Sequence, residues 1–199
     1  MSLLSPPFDP VREAAIVTGA GNGIGRAIAL ALVGEGVRTA FADVREDTVS
    51  AAVKTSARPE LGVPWIGDLA GRAARDSLLV AAEAAVGPVT HFVHSASPPR
   101  HEADHLFAVS EETWERMRAV NVDAGFHLAR ELARQLIASG QLGSFLMLTS
   151  LHAGTPRNLP HVRDWYIGFA RETTPACPWS PGGTTGSKVA TYVDASPSP

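Results

Sequence analysis

Short apolar runs and helical stripes alternate along this chain. Ala14 to Val17 is an apolar run that ends in a glycine cluster, and beyond it Ile24, Ala27, Ile28, Ala31 and Leu32 recur at helical spacing. This pattern predicts a strand, a turn and a helix. Gly34 and Gly36 end that helix, Val37 to Ala42 reads as a second strand, and Val63 to Ile66 as a third after a polar, alanine-containing stretch. Ala73 to Ala85 predicts a helix and Val89 to His94 a fourth strand. Glu111 to Ala138 predicts one long helix with Leu128, Leu132 and Leu136 on one side, and Ser144 to Thr149 a fifth strand. Strands separated by helices of this length imply an α/β fold, a doubly wound parallel sheet with helices on both faces. Its ligands are expected outside the carboxyl ends of the strands.

The pattern changes near His161. Of the 28 residues from Glu172 to Pro199, 17 are Pro, Gly, Ser or Thr, and nothing there has the apolar spacing needed to cover a sheet. The expected organisation is one folded domain over residues 1–160, then an atypical Pro/Gly/Ser/Thr-rich tail over 161–199. With 45% apolar and 19% charged residues and a net charge of −3, the chain reads as globular. That balance argues against disorder, a nucleic-acid-binding surface and an anionic-membrane patch. Met1 to Pro10 has two prolines directly after Ser5 and no basic region before a long apolar run, so it reads as neither a secretory signal nor a membrane span. A cytoplasmic location is expected. The single cysteine, Cys177, can form neither an intrachain disulfide nor a metal-binding pair, which agrees with a reducing compartment.

The candidate chemistry begins at Thr18-Gly19-Ala20-Gly21-Asn22-Gly23-Ile24-Gly25, between the first strand and the first helix. Glycine permits a tight turn and close approach of backbone to a pyrophosphate, and the following helix start attracts phosphate charge. The spacing does not fit GxGxxG in register. Asp43 ends the second strand 18 residues after Gly25, where a carboxylate accepts the adenosine ribose hydroxyls in NAD-binding Rossmann domains. A carboxylate there repels the 2′-phosphate of NADP, so NAD is favoured over NADP, with Arg45 as the opposing charge.

The turn does fit TGxxxGxG, and with it the chain resembles the short-chain dehydrogenase/reductase family. The resemblance implies a Rossmann-type sheet lacking the family's last strands, and a cofactor site at Gly19, Asn22, Gly23, Ile24 and Gly25. It also implies an adenine contact at Asp68-Leu69 and a role for Asn121 within Asn-Val-Asp-Ala-Gly. Where the family usually has Asn-Asn-Ala-Gly, this chain has His94-Ser95-Ala96-Ser97 and keeps only Ala96. Ser150 matches the catalytic serine, with Thr149 as the alternative, and would polarise the oxygen of an alcohol or carbonyl substrate while Asn121 supports a proton relay.

The family's chemistry also needs a tyrosine about a dozen residues after the serine and a lysine four further on, one helical turn apart, so that the ammonium lowers the phenol's pKa. The tyrosine position falls at Val162 or Arg163; Tyr166 is followed four residues later by Ala170, and no YxxxK exists. Lys188 stands in a Ser-Lys-Val-Ala context with Thr184 in place of the tyrosine, so a rearranged site would use Tyr166 and Lys188. The stretch after His161 is therefore expected to come from a truncated, spliced or frame-shifted product. The resemblance implies homo-oligomers paired through the long helix and the next one, of which only the first is recognisable.

Three functions stay open on these residues. One is an NAD(H)-dependent oxidoreductase acting on a small alcohol or carbonyl. Another is a dinucleotide-binding module without turnover. The third is a zinc hydrolase, because His101-Glu102-Ala103-Asp104-His105 matches HExxH. That segment follows Pro98-Pro99 in a predicted loop with no third ligand marked, which favours a solvated loop, and no metal is expected.

Overall fold

The computed structural model describes residues 12–99 and 108–149. Five strands, β1 (Ala14–Thr18), β2 (Arg38–Asp43), β3 (Gly62–Ile66), β4 (His91–His94) and β5 (Ser144–Met147), form one sheet in the order β3-β2-β1-β4-β5. Each neighbouring pair is parallel. The sheet fills outward from β1 in one direction, then resumes on the other side with β4. The topological switch point thus lies between the carboxyl ends of β1 and β4, where such sheets open a ligand crevice.

β1 is buried along its whole length, as its unbroken Ala-Ala-Ile-Val-Thr sequence requires of a central parallel strand. Side chains alternate across the sheet and build two cores. Ile16, Ala40, Phe92 and Phe145 face α3 (Arg72–Val86) and α5 (Gly125–Ser139), whose Leu78, Leu128, Leu132 and Leu136 cover them. Val17, Phe41 and Val93 face α1 (Gly23–Gly34) and α2 (Glu46–Lys54), covered by Ala29, Val33, Val49 and Ala52. The amino ends of the strands are tied by side chains: Thr90 Oγ1 donates to Glu13, Glu13 lies 3.0 Å from His91 Nε2, and His91 Nδ1 lies 2.6 Å from Ser144 Oγ.

The expected long helix over Glu111–Ala138 is present but broken. α4 (Glu111–Arg118) passes into a π-turn, Ala119–Ala124, before α5 begins. The apolar stripe of Leu128, Leu132 and Leu136 belongs to α5 alone and carries no sign of the wider turn upstream. The observed β4 starts two residues later than the apolar run predicts, because Val89 and Thr90 lie in the connection from α3. β5 ends at Met147 rather than Thr149.

Candidate dinucleotide site at the switch point

The turn after β1 is held from three sides, and each hold calls for glycine. Gly19 has φ +69° and lies so close to β4's exit that a Cβ would sit 2.9 Å from the Ala96 backbone. Gly25 is buried in the first turn of α1, where a Cβ would meet the Gly19 carbonyl oxygen at 2.3 Å. At Gly21 a Cβ would run into the Asp43 carboxylate and the Thr48 hydroxyl. Gly23 has φ +55° and open space above it, so the turn is packed tight underneath and clear on its outer side. That shape suits a phosphate seated on backbone amides. A helix start leaves its first amides without intrahelical partners; Asn22 caps α1 and meets that of Gly23 at 2.8 Å. Ile24 is about half exposed in the same turn.

Asp43, half-buried at the tip of β2, is fixed by two amides: Gly21 donates to one carboxylate oxygen at 2.8 Å and Arg45 to the other at 3.0 Å. The Ala20 amide donates to the Ala42 carbonyl and the Gly67 amide to that of Asp43, binding the tips of β1, β2 and β3 together. Beside them runs a cleft of about 90 Å³, whose lining includes Gly19, Asp43, Asp68, Leu69, Ala96 and Arg116. Asp68 accepts from the Ala70 amide and from the Arg116 guanidinium, both at 3.0 Å. Leu69 is buried. A wider depression of about 420 Å³ lies between the carboxyl ends of α3 and α5, where Glu83 is the single titratable side chain of its lining. The switch-point cleft instead brings two carboxylates, Asp43 and Asp68, and the Arg116 guanidinium to the strand ends.

His94 closes the floor behind the turn. It takes the place where Asn-Asn-Ala-Gly was expected, and its ring joins two elements: Nδ1 lies 2.9 Å from Thr18 Oγ1 and Nε2 lies 3.0 Å from the Val120 carbonyl oxygen of the π-turn. Thr18 Oγ1 in turn accepts from the amides of Ser95 and Ala96, at 3.2 and 3.3 Å. Burial pushes the imidazole pKa down to about 4, against the opposing pull of the Val120 and Asn121 backbone. It is therefore neutral at pH 7. Asn121 follows Val120 in the π-turn, and its Oδ1 is buried without a hydrogen-bond partner among the described residues. π-turns recur at functional sites, and a buried acceptor left unpaired costs about 1–3 kcal/mol until a donor reaches it.

The structure thus brings Gly19, Asp43, Asp68, Leu69 and Ala96 to one cleft; Asn22, Gly23, Ile24 and Gly25 follow Gly19 in the same turn, and Asn121 follows Val120, which also lines the cleft. Ser150, Tyr166 and Lys188 lie outside the described residues, as does His101–His105; Thr149 is exposed just beyond β5. Among the described residues no three His, Cys, Asp or Glu side chains group closely enough to hold a metal ion, and no helix is long and apolar enough to cross a membrane. Sequence reasoning did not assign roles to Thr18, Gly21, His94 or Arg116. The available signal was His94 itself, a titratable residue at a buried strand end.

A parallel sheet with a glycine turn at its switch point and a carboxylate on the neighbouring strand tip is the arrangement of a Rossmann-type α/β domain. The short chain dehydrogenase family pattern matches residues 13–160, so the chain belongs to that oxidoreductase family. It is similar to galactitol 2-dehydrogenase (L-tagatose-forming) of Cereibacter sphaeroides, 35% identical over 157 residues, covering 77% of this chain and 58% of that one. It is also similar to the mouse (3R)-3-hydroxyacyl-CoA dehydrogenase, 34% identical over 69% of this chain and 56% of that enzyme. The chain therefore spans somewhat more than half the length of these relatives. In fold it matches the 3-ketoacyl-(acyl-carrier-protein) reductase of Brucella melitensis, solved with NADH. The TM-score is 0.72 at 23% identity, covering 81% of this chain and 66% of that one.

Proposed function

We propose that this protein binds NAD(H) at the switch-point cleft and belongs functionally with oxidoreductases that interconvert small alcohols and carbonyls. The observation that carries the reading is the Asp43 carboxylate, clamped by the Gly21 and Arg45 amides beside the glycine turn. A fixed anion at this place suits the two ribose hydroxyls of NAD and opposes the 2′-phosphate of NADP. Glu46 and Asp47, in the first turn of α2, add to that repulsion.

The turn from Gly19 to Gly25 would take the pyrophosphate, Asp68 and Leu69 the adenine, and Ala96 the region between them. When bound, the nicotinamide supplies the capacity to give or take hydride, and the protein supplies orientation and proton management. Within the chain's own residues, Ser150 is assigned the polarising hydrogen bond to the substrate oxygen. Asn121, whose buried Oδ1 has no hydrogen-bond partner among the described residues, is assigned the support of a proton relay.

A second reading, a dinucleotide-binding module without turnover, is favoured by one observation: neither tyrosine, Tyr166 or Tyr192, has a lysine four residues later. Loss of a general acid/base costs about 10²- to 10⁴-fold in rate. One experiment separates the readings. NADH fluorescence is titrated against the full chain and Asp43→Ala, and NADH oxidation is then followed with a panel of ketones and sugar ketoses. Micromolar binding that weakens at least tenfold in Asp43→Ala supports the site. Turnover that falls in Tyr166→Phe supports a rearranged acid/base, and binding with no turnover supports the module. No binding by either protein overturns both readings.

A further inference from the structure

We propose that His94 is a positioning residue, a two-ended strut that couples the phosphate-binding turn to the π-turn carrying Asn121. The ligand at the first end rests on the dinucleotide reading above; the strut itself rests on geometry.

A neutral imidazole has one donor and one acceptor nitrogen. The Val120 carbonyl can only accept, so Nε2, 3.0 Å away, carries the hydrogen. Nδ1 must then accept, and the hydroxyl of Thr18 at 2.9 Å gives it its proton. With that proton committed, the lone pairs of Thr18 Oγ1 receive the amides of Ser95 and Ala96. Thr18 Oγ1 also lies 3.5 Å from the Val93 carbonyl oxygen, but the 2.9 Å contact with Nδ1 is the shorter and takes the proton; the histidine is 4% exposed, so water does not compete.

Both ends are mechanically tight. Ala96 touches Gly19, where even one added Cβ would sit 2.9 Å from its backbone, so the glycine turn cannot shift without moving the Ser95–Ala96 amides. Gly125, at the junction of π-turn and α5, lies flush on the imidazole: a Cβ there would be 2.9 Å from His94 Cδ2. The line from cofactor turn to Asn121 is Gly19, Ala96, Thr18, His94, Val120, joined at each step by a hydrogen bond or a close backbone approach. No shorter side chain spans it. An asparagine carries an oxygen in the position of Nδ1 and reaches Thr18 only; a glutamine carries a nitrogen in the position of Nε2 and reaches Val120 only.

That difference supplies the test. Backbone amide resonances are followed by NMR while NADH is added to the full chain, to His94→Asn and to His94→Gln. In the unsubstituted protein the Asn121 resonance moves together with those of Gly21 to Gly25. In both variants the glycine resonances still move, the Asn121 resonance does not, and the Kd for NADH rises about fivefold or more, the lower end of ordinary coupling between sites. An Asn121 response that survives in either variant overturns the strut. If NADH moves no resonance in the unsubstituted protein, the dinucleotide reading fails. The strut is then decided by the His94 ring: long-range ¹H–¹⁵N spectra with the proton on Nε2 support it, and the Nδ1–H tautomer overturns it.

Discussion

Acid should weaken this protein through His94, and the burial of its ring sets the sign of the effect. In the folded chain the imidazole is sealed between β1, β4 and the π-turn, with its pKa lowered from 6.5 to about 4 by burial. The unfolded chain therefore binds a proton that the folded chain refuses between these two values. The stabilising contribution is whole above pH 6.5, falls as the pH drops towards 4, and changes no further below it. At 1.36 kcal/mol per pH unit, the full loss is about 3 kcal/mol, a large share of the 5–15 kcal/mol that holds an ordinary domain together. Urea unfolding at pH 7.5, 6.5, 5.5 and 4.5, on the unsubstituted chain and on His94→Gln, isolates the effect. His91, whose pKa burial also lowers, is present in both proteins, so its contribution cancels in the difference. The unsubstituted chain should lose about 2–3 kcal/mol more than the variant between pH 7.5 and 4.5. Parallel pH curves for the two proteins would refute the reasoning, since they would mean that His94 charges freely in the folded state.

Three further outcomes follow from the packing. Gly25→Ala puts a methyl 2.3 Å from the Gly19 carbonyl oxygen; it should cost about 1–3 kcal/mol in thermal or urea unfolding and abolish NADH binding by fluorescence. Ser110→Ala removes the hydroxyl that caps α4 by accepting from the Thr113 amide at 3.1 Å; its expected cost is about 1 kcal/mol in urea unfolding. Arg116→Ala breaks an ion pair with Asp68 whose side chains are 47% and 44% exposed. Its unfolding midpoint should move by less than about 1 kcal/mol in free energy, because solvent screens such pairs.

The parts of the molecule legible in the sequence are those where one physical demand dominates. β1 is apolar because both of its faces are covered, and the glycine turn stands out because several close approaches crowd into one short segment. Asp43 was legible from its distance along the chain, and the structure places it against Gly21. The π-turn was not legible, because Ala119 to Ala124 has helix-forming neighbours on both sides and the feature that accompanies it, the His94 contact with Val120, comes from 26 residues away. The Asp68–Arg116 pair was hidden for the same reason, its partners being 48 residues apart. His94 was visible only as a departure from an expected asparagine. What the departure does depends on Thr18 and Gly125, which no local pattern connects to it.

The central claim is tested most directly by isothermal calorimetry of NADH and NADPH, each titrated into the full chain at neutral pH. Binding of one NADH per chain, at least tenfold tighter than NADPH, is the predicted result. No heat from either dinucleotide at millimolar concentration on folded protein, or tighter binding of NADPH, would contradict the assignment of the Gly19–Gly25 turn and Asp43 as an NAD site.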